Sequence, residues 1–158
     1  MNSQKETENI RFQSDTIVER FDGYRDKWDD FYPSERWALQ RVADQRQGQL
    51  GQVLDVGCAA GGLGIALTSR FIVDSYTGID INSQAIALAR QNLERFRAPA
   101  TFFSEDVLLV DGLGKGAFDV VTSLSCADWN IATTRITNRC WEHVAPGGCF
   151  VMSVRLTN

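Results

Sequence analysis

The stretch VLDVGCAAGG, Val53 to Gly62, narrows the folds open to this chain more than any other. An apolar run of one strand's length breaks into a glycine turn and continues as GLGIALTSRF, Gly62 to Phe71, with a helical pattern. Strand, tight turn and helix in that order open a βαβ unit. Such a turn aims backbone N–H groups and the positive end of a helix at whatever binds there. The same alternation then recurs. SYTGIDI (Ser75 to Ile81) reads as a second strand, and Ser83 to about Phe96 as a helix capped by Asn82. ATFF (Ala100 to Phe103) is a third strand, and a loop broken by Gly112, Gly114 and Gly116 leads to a fourth, FDVVTSL (Phe118 to Leu124). A helix through Ile131, Ile136, Cys140 and Val144 precedes PGG and a last strand, CFVMSVRL, Cys149 to Leu156. Strands alternating with helices predict an α/β fold, a doubly wound parallel sheet with helices on both faces. Near-continuous apolar strands agree, because parallel strands are buried on both sides.

Upstream of this region, Ile17, Phe21, Tyr24, Trp28 and Phe31 recur at helical spacing and line one face. Pro33 interrupts the pattern, and Ser34 is placed to cap a second helix through Trp37, Leu39 and Val42. Gln45 to Gln52, QRQGQLGQ, reads as a polar linker. The expected organisation is a flexible polar tail over 1–14, a helical segment over 15–48 and the α/β domain over 49–158. A chain of 158 residues suits one domain of ordinary size, of about 100–200 residues. Its net charge of −4 disfavours a partner bound mainly by phosphate neutralisation, although a nucleic acid held at a local patch stays open. No apolar run approaches the roughly 18 residues of a membrane span, and MNSQKETENIRFQSD lacks the apolar centre of a secretory signal. Cys58, Cys126, Cys140 and Cys149 have no CxxC spacing, so neither a metal site nor a redox pair is expected. Reduced core thiols in a cytoplasmic protein are the natural reading.

Three acids stand where ligands bind in such sheets. Asp55 lies in a strand otherwise made of Val and Leu, so its charge needs a local partner, either turn N–H groups or a cationic ligand group. Asp80 ends the second strand, where a carboxylate offers two acceptor oxygens to the hydroxyls of a ribose. Its alternative role, capping the next helix, is better served by Asn82. Asp106 follows the third strand in FFSEDVL; alone it reads as a solvated loop acid, and only beside the other two does it gain a second role, accepting from an adenine amine with the Val107 N–H facing a ring nitrogen. The sole histidine, His143, lies at a helix end opposite the ligand-binding edge and reads as a surface residue favoured by the helix dipole.

VLDVGCAAGG, GIDINSQAIALAR, SEDV, FDVVTSLS and VAPGGCFVMS together resemble the successive motifs of class I S-adenosylmethionine-dependent methyltransferases, from about Gln52 to Ser153. The resemblance implies a Rossmann-like sheet of strand order 3-2-1-4-5 and S-adenosylmethionine as cofactor. By position it assigns Asp55, Gly57, Cys58, Ala59 and Gly61 to the loop around the methionine part, Asp80 to the ribose and Ile81 to the adenine face. Asp106 and Val107 would read the adenine edge, and Leu124 and Ser125 would face the sulfonium. The chain departs from the family at Ala59, where glycine is usual. Alanine replaces glycine cheaply only at negative φ, so an ordinary backbone is expected there. It departs again at its C-terminus, where the family's sheet gains two more strands. CFVMSVRL would otherwise be an apolar sheet edge, so a longer polypeptide is expected, or else a partner covering that edge.

The expected reaction is in-line transfer of a methyl group to a small-molecule acceptor, for which the protein must hold the nucleophile near the methyl and exclude water. SLSCADWN, Ser123 to Asn130, is the best candidate for acceptor contact. Asp128 would orient an amine or take a hydroxyl proton, or else serve as a helix N-terminal acid. Trp129 would wall the pocket or sit in the core. The aromatic stripe of the N-terminal helices reads first as core packing. The resemblance also makes these helices a lid, with Tyr24, Tyr32 and Trp37 shaping the acceptor pocket, where Trp and Tyr would cage an amine or the sulfonium by cation–π attraction. Two other classes remain: a non-catalytic methyltransferase-like binding module, and a nicotinamide-dependent oxidoreductase. The second lacks a clean GxGxxG here and would leave Asp55 unexplained.

Overall fold

The computed structural model describes residues 25–127 and 132–154. Its elements in chain order are α1 (Pro33–Gln45), β1 (Gln49–Val56), α2 (Gly62–Arg70), β2 (Ile72–Asp80), α3 (Ser83–Gln91), β3 (Ala100–Ser104), β4 (Phe118–Ser123), α4 (Thr133–Glu142) and β5 (Val144–Met152). Short 3₁₀ turns at Trp28–Asp30 and Leu93–Arg95 precede α1 and follow α3. The strands form one sheet in the order β3-β2-β1-β4-β5, every pairing parallel, as the motif order implied. Right-handed crossovers are the rule for such units, so successive helices must alternate faces where the strand order reverses beside β1.

Side chains alternate across each strand and build two cores. Val53, Tyr76, Phe102, Val120 and Val151 face α1, α2 and α3, which contribute Leu39, Val42, Leu67, Ile86 and Ala89. Leu54, Val56, Ile79 and Val121 face α4 and the β3–β4 loop through Ile136, Cys140, Val107, Val110 and Leu113. That loop covers its face of the sheet with buried apolar anchors in place of a helix.

Several boundaries differ from those expected. Pro33 occupies the first position of α1, where its missing N–H costs nothing. Tyr32, not Ser34, is the N-cap, and its N–H is taken by Glu35 at 3.0 Å. The expected linker already belongs to the sheet from Gln49. Asp119 on β4 accepts from Gln52 N–H at 2.8 Å and pairs with Arg46, which ties the polar start of β1 to its neighbour. The last strand likewise begins at Val144, and its ladder with β4 jumps from Phe118↔Val144 to Val120↔Cys149, so Ala145–Gly148 bulge outward.

His143 is a correction. It is only 1% exposed, with Nδ1 at 2.9 Å from the Gly114 carbonyl and its ring edge-on to Phe118. The glycine-rich β3–β4 loop folds over the end of α4 and closes off what its helix-terminal position alone would have left in solvent.

Candidate functional site

At the carboxyl end of β1 the chain turns sharply between its two sheet neighbours. Gly57 N–H and Cys58 N–H both donate to the Ile79 carbonyl on β2, at 2.8 and 3.2 Å, and Gly61 N–H closes the turn on the Cys58 carbonyl at 2.9 Å. Gly57 has φ 82°, and a Cβ there would lie 2.4 Å from Cys126 Sγ, so the segment after β4 packs directly on the turn. Gly61, also at φ 82°, is the N-cap of α2.

Between them lies the residue expected to keep an ordinary backbone, and it does not.

 That residue is Ala59, whose φ of 47° is left-handed, which corrects the expectation. Its N–H donates to Asp80 Oδ2 at 2.9 Å, and closing the turn onto that carboxylate outweighs the ~1–2 kcal/mol that a Cβ costs in this region.

Asp80, partly buried at the tip of β2, also accepts from Asn82 N–H through Oδ1 at 2.9 Å. Burial raises its pKa, against the opposing pull of the Asn82 and Ala59 N–H groups. Asn82 takes the capping role itself, accepting from Gln84 and Ala85 N–H at 3.0 Å each. A carboxylate has about four acceptor positions, so these two bonds leave room for two hydroxyl donors.

Asp55 lies deeper, 3% exposed beneath the turn. Its carboxyl is met not by turn N–H groups but by two hydroxyls, Tyr76 Oη at 2.6 Å and Thr122 Oγ1 at 2.8 Å. Burial pushes its pKa up to about 6 despite those hydroxyls, and nearby Asp80 adds to the rise while Arg25 opposes it. The same burial, with Asp55 alongside, raises the Tyr76 phenol well above its usual range.

Asp106 stands just past the tip of β3, where its Oδ1 accepts from Leu108 N–H at 2.9 Å and its carbonyl from Leu109 and Val110 N–H. Val107 is buried beside it, 6% exposed. Ile81 follows Asp80 and is partly buried. Leu124 and Ser125 continue from β4 on the other side of the turn. Ser125 has a left-handed φ of 52°, and its N–H donates to Ser153 Oγ at 2.6 Å. Cys58 is buried inside the turn, its thiol raised well above the usual range by burial and by Asp80. Left-handed residues at both Ala59 and Ser125 flank the same edge of the sheet, and backbone strain of this kind gathers at binding sites.

The two described aromatic candidates differ in setting. Tyr32 is 55% exposed beneath the Arg25 guanidinium, 4.9 Å from its ring centre. Trp37 is 69% exposed on the side of α1 opposite Leu39, so this helix turns it away from the core. Tyr24, Asp128 and Trp129 lie outside the described residues.

Residues that the sequence reading missed complete the surroundings. Tyr76 and Thr122 hold Asp55, and Arg25 forms a largely buried ion pair with Glu35. Arg25 also places its carbonyl where a Cβ on Gly62 would lie, so its segment borders the start of α2. Glu35 had a signal, a carboxylate two residues after a proline at a helix start. Tyr76 had none, because only the strand register brings it beside Asp55.

Comparison with known proteins agrees with this architecture. Residues 53–148 match the family model described as a methyltransferase domain. The ribosomal protein L11 methyltransferase of Burkholderia thailandensis is 38% identical over 124 residues, which is 77% of this chain and 37% of that protein. The trans-aconitate 2-methyltransferase of Deinococcus radiodurans is 31% identical over 117 residues, 73% of this chain and 42% of that one. This chain therefore spans less than half the length of either relative. Among solved structures, phosphoethanolamine N-methyltransferase 2 of Haemonchus contortus, in complex with phosphomonomethylethanolamine and S-adenosylhomocysteine, superposes with a TM-score of 0.70 at 18% identity. That match covers 92% of this chain and 34% of the other.

Proposed function

Because this chain belongs to the class I S-adenosylmethionine-dependent methyltransferases, we propose that it transfers the methyl group of S-adenosylmethionine to a small-molecule acceptor. The observation that carries this is the junction of the glycine turn with Asp80, through the 2.9 Å bond from Ala59 N–H. It fits the cofactor's donors and acceptors. Asp80 keeps acceptor capacity for a ribose diol, and the start of α2 suits a carboxylate. The crowding of Gly57 by Cys126 holds the two sides of the edge together.

Asp80 would hold the ribose, Ile81 would lie against the adenine, and Asp106 with Val107 would read its edge. Gly57, Cys58, Ala59 and Gly61 would cradle the methionine part over the buried Asp55, with Leu124 and Ser125 toward the sulfur. Bound there, S-adenosylmethionine supplies a methyl group made electrophilic by its sulfonium charge. The chain's own share is placement and exclusion of water. Asp128 would orient the acceptor or take its proton, with Trp129, Tyr24, Tyr32 and Trp37 about the acceptor and residues 15–48 as the lid.

Similarity to a trans-aconitate methyltransferase and the net charge of −4 support a small acceptor over a nucleic acid. Similarity to ribosomal protein L11 methyltransferases supports a protein acceptor as the second reading. The test is incubation of the protein with methyl-labelled S-adenosylmethionine and two acceptor sets, small acids and amines on one side and ribosomal proteins on the other. Label in the small-molecule fraction supports the proposal. Label confined to protein overturns its acceptor, and cofactor binding without transfer to either set favours a binding module.

A further inference from the structure

The β3–β4 loop has a clamp on its far side. After Asp106 the chain makes a turn anchored by Val107 and Val110, which are 6% and 1% exposed. Its N–H groups are met within the turn, by the Asp106 carboxylate and carbonyl. Two of its carbonyls are met from α4. Arg139 Nε donates to the Val107 carbonyl at 3.2 Å and Nη2 to the Val110 carbonyl at 2.8 Å. Nη1 reaches Glu142 at 3.1 Å, and Lys115 pairs with that same carboxylate at 3.2 Å.

The Val107 carbonyl and the Leu108 N–H are two ends of one planar peptide group. Arg139 bonds the carbonyl end, and Asp106 Oδ1 accepts from the N–H end at 2.9 Å. Guanidinium, peptide plane and carboxylate therefore form a continuous chain. Donation to the carbonyl polarises the peptide and strengthens the bond from its N–H.

We propose that Arg139 is a positioning residue for recognition of the base: it fixes the 107–108 peptide, and through it the Asp106 carboxylate. This deepens the proposed function and rests on Asp106 meeting the adenine amine. The planar fork of arginine suits two carbonyls at a set separation. Lysine carries the same charge on a single nitrogen and cannot reproduce that fork.

Equilibrium binding of S-adenosylhomocysteine and of its 6-oxo counterpart, S-inosylhomocysteine, tests the proposal by titration calorimetry. The proteins are the unaltered chain, Arg139→Met, Arg139→Lys and Glu142→Gln, each checked for folding by its melting curve. The unaltered protein is expected to prefer the amino form by about tenfold, the value of one good polar contact. Arg139→Met should abolish most of that preference by weakening the amino form alone, with Arg139→Lys between the two. Glu142→Gln should retain the preference. If Arg139→Met does not fold, Arg139→Lys carries the comparison. An unchanged preference in the arginine variants, or equal weakening of both ligands, overturns the proposal by making Arg139 a structural brace only. Equal binding of both ligands to the unaltered protein overturns it through Asp106, and no binding of either ligand overturns the cofactor reading beneath it.

Discussion

Replacing Asp55 with asparagine should make this protein more stable at neutral pH and leave it unchanged in acid. The carboxyl is 3% exposed, and its pKa rises from 3.8 to about 6 on folding. A carboxyl with a raised native pKa holds its proton more tightly in the folded state. Its contribution is therefore fully present below about pH 4 and is lost as pH climbs through about 6. At ~1.4 kcal/mol per pH unit, the gap between 3.8 and about 6 corresponds to about 3 kcal/mol. Asparagine preserves the network without the charge. Its oxygen accepts from Tyr76, and its amide donates to Thr122 Oγ1, which turns its own proton toward the Leu54 carbonyl at 3.3 Å. Urea unfolding of both proteins by circular dichroism at about pH 4, 5.5 and 7.5 isolates the effect, because all other titrating groups cancel in the difference. The expected result is near-equality at the lowest pH and an advantage of about 2–3 kcal/mol for Asp55→Asn at the highest. A difference that does not vary with pH, or a less stable Asp55→Asn at neutral pH, would refute the reasoning.

The glycine turn yields two opposed expectations. Gly57→Ala puts a Cβ 2.4 Å from Cys126 Sγ at φ 82°, and should cost at least about 2 kcal/mol in urea unfolding; a loss under about 0.5 kcal/mol would show that the turn yields. Ala59→Gly relieves the left-handed φ of 47° and, after the entropy glycine loses on folding, should stabilise by up to about 1 kcal/mol. A clear loss of stability there would contradict the strained geometry. Glu35→Gln leaves the Arg25 guanidinium, with its side chain only 12% exposed, without its counter-charge. The same unfolding assay should register a loss of about 3 kcal/mol, and a neutral outcome would mean that the pair is dispensable.

How much of this was legible beforehand depends on whether the cause lies within a segment or between segments. The strand–turn–helix at Val53–Gly62 and the cap at Asn82 depend on neighbours in sequence, and both stand where their residues placed them. The starts of β1 and β5 do not. Gln49 and Val144 join the sheet by backbone pairing with Ile72 and Phe118, which polar side chains or a nearby proline do not prevent. His143 was misread for the same reason, since the Gly114 carbonyl that covers it arrives from a distant loop. At the site, the types and strand-end positions of Asp80 and Asp106 were readable from sequence alone. The hydroxyl partners of Asp55 required the register that sets Val53 opposite Tyr76 and Asp55 opposite Thr122. Ala59 was misjudged because substituting alanine for glycine says nothing of the φ that a turn imposes, and the Asp80 carboxylate imposes it here.

The account turns on Asp80 as the holder of the ribose, and titration calorimetry with S-adenosylhomocysteine tests it most directly. Asp80→Ala removes a charge-assisted acceptor worth about 1.5–3 kcal/mol, so affinity should fall roughly ten- to hundredfold relative to the unaltered protein. An Asp80→Ala protein that melts cooperatively and still binds S-adenosylhomocysteine with undiminished affinity would contradict the account.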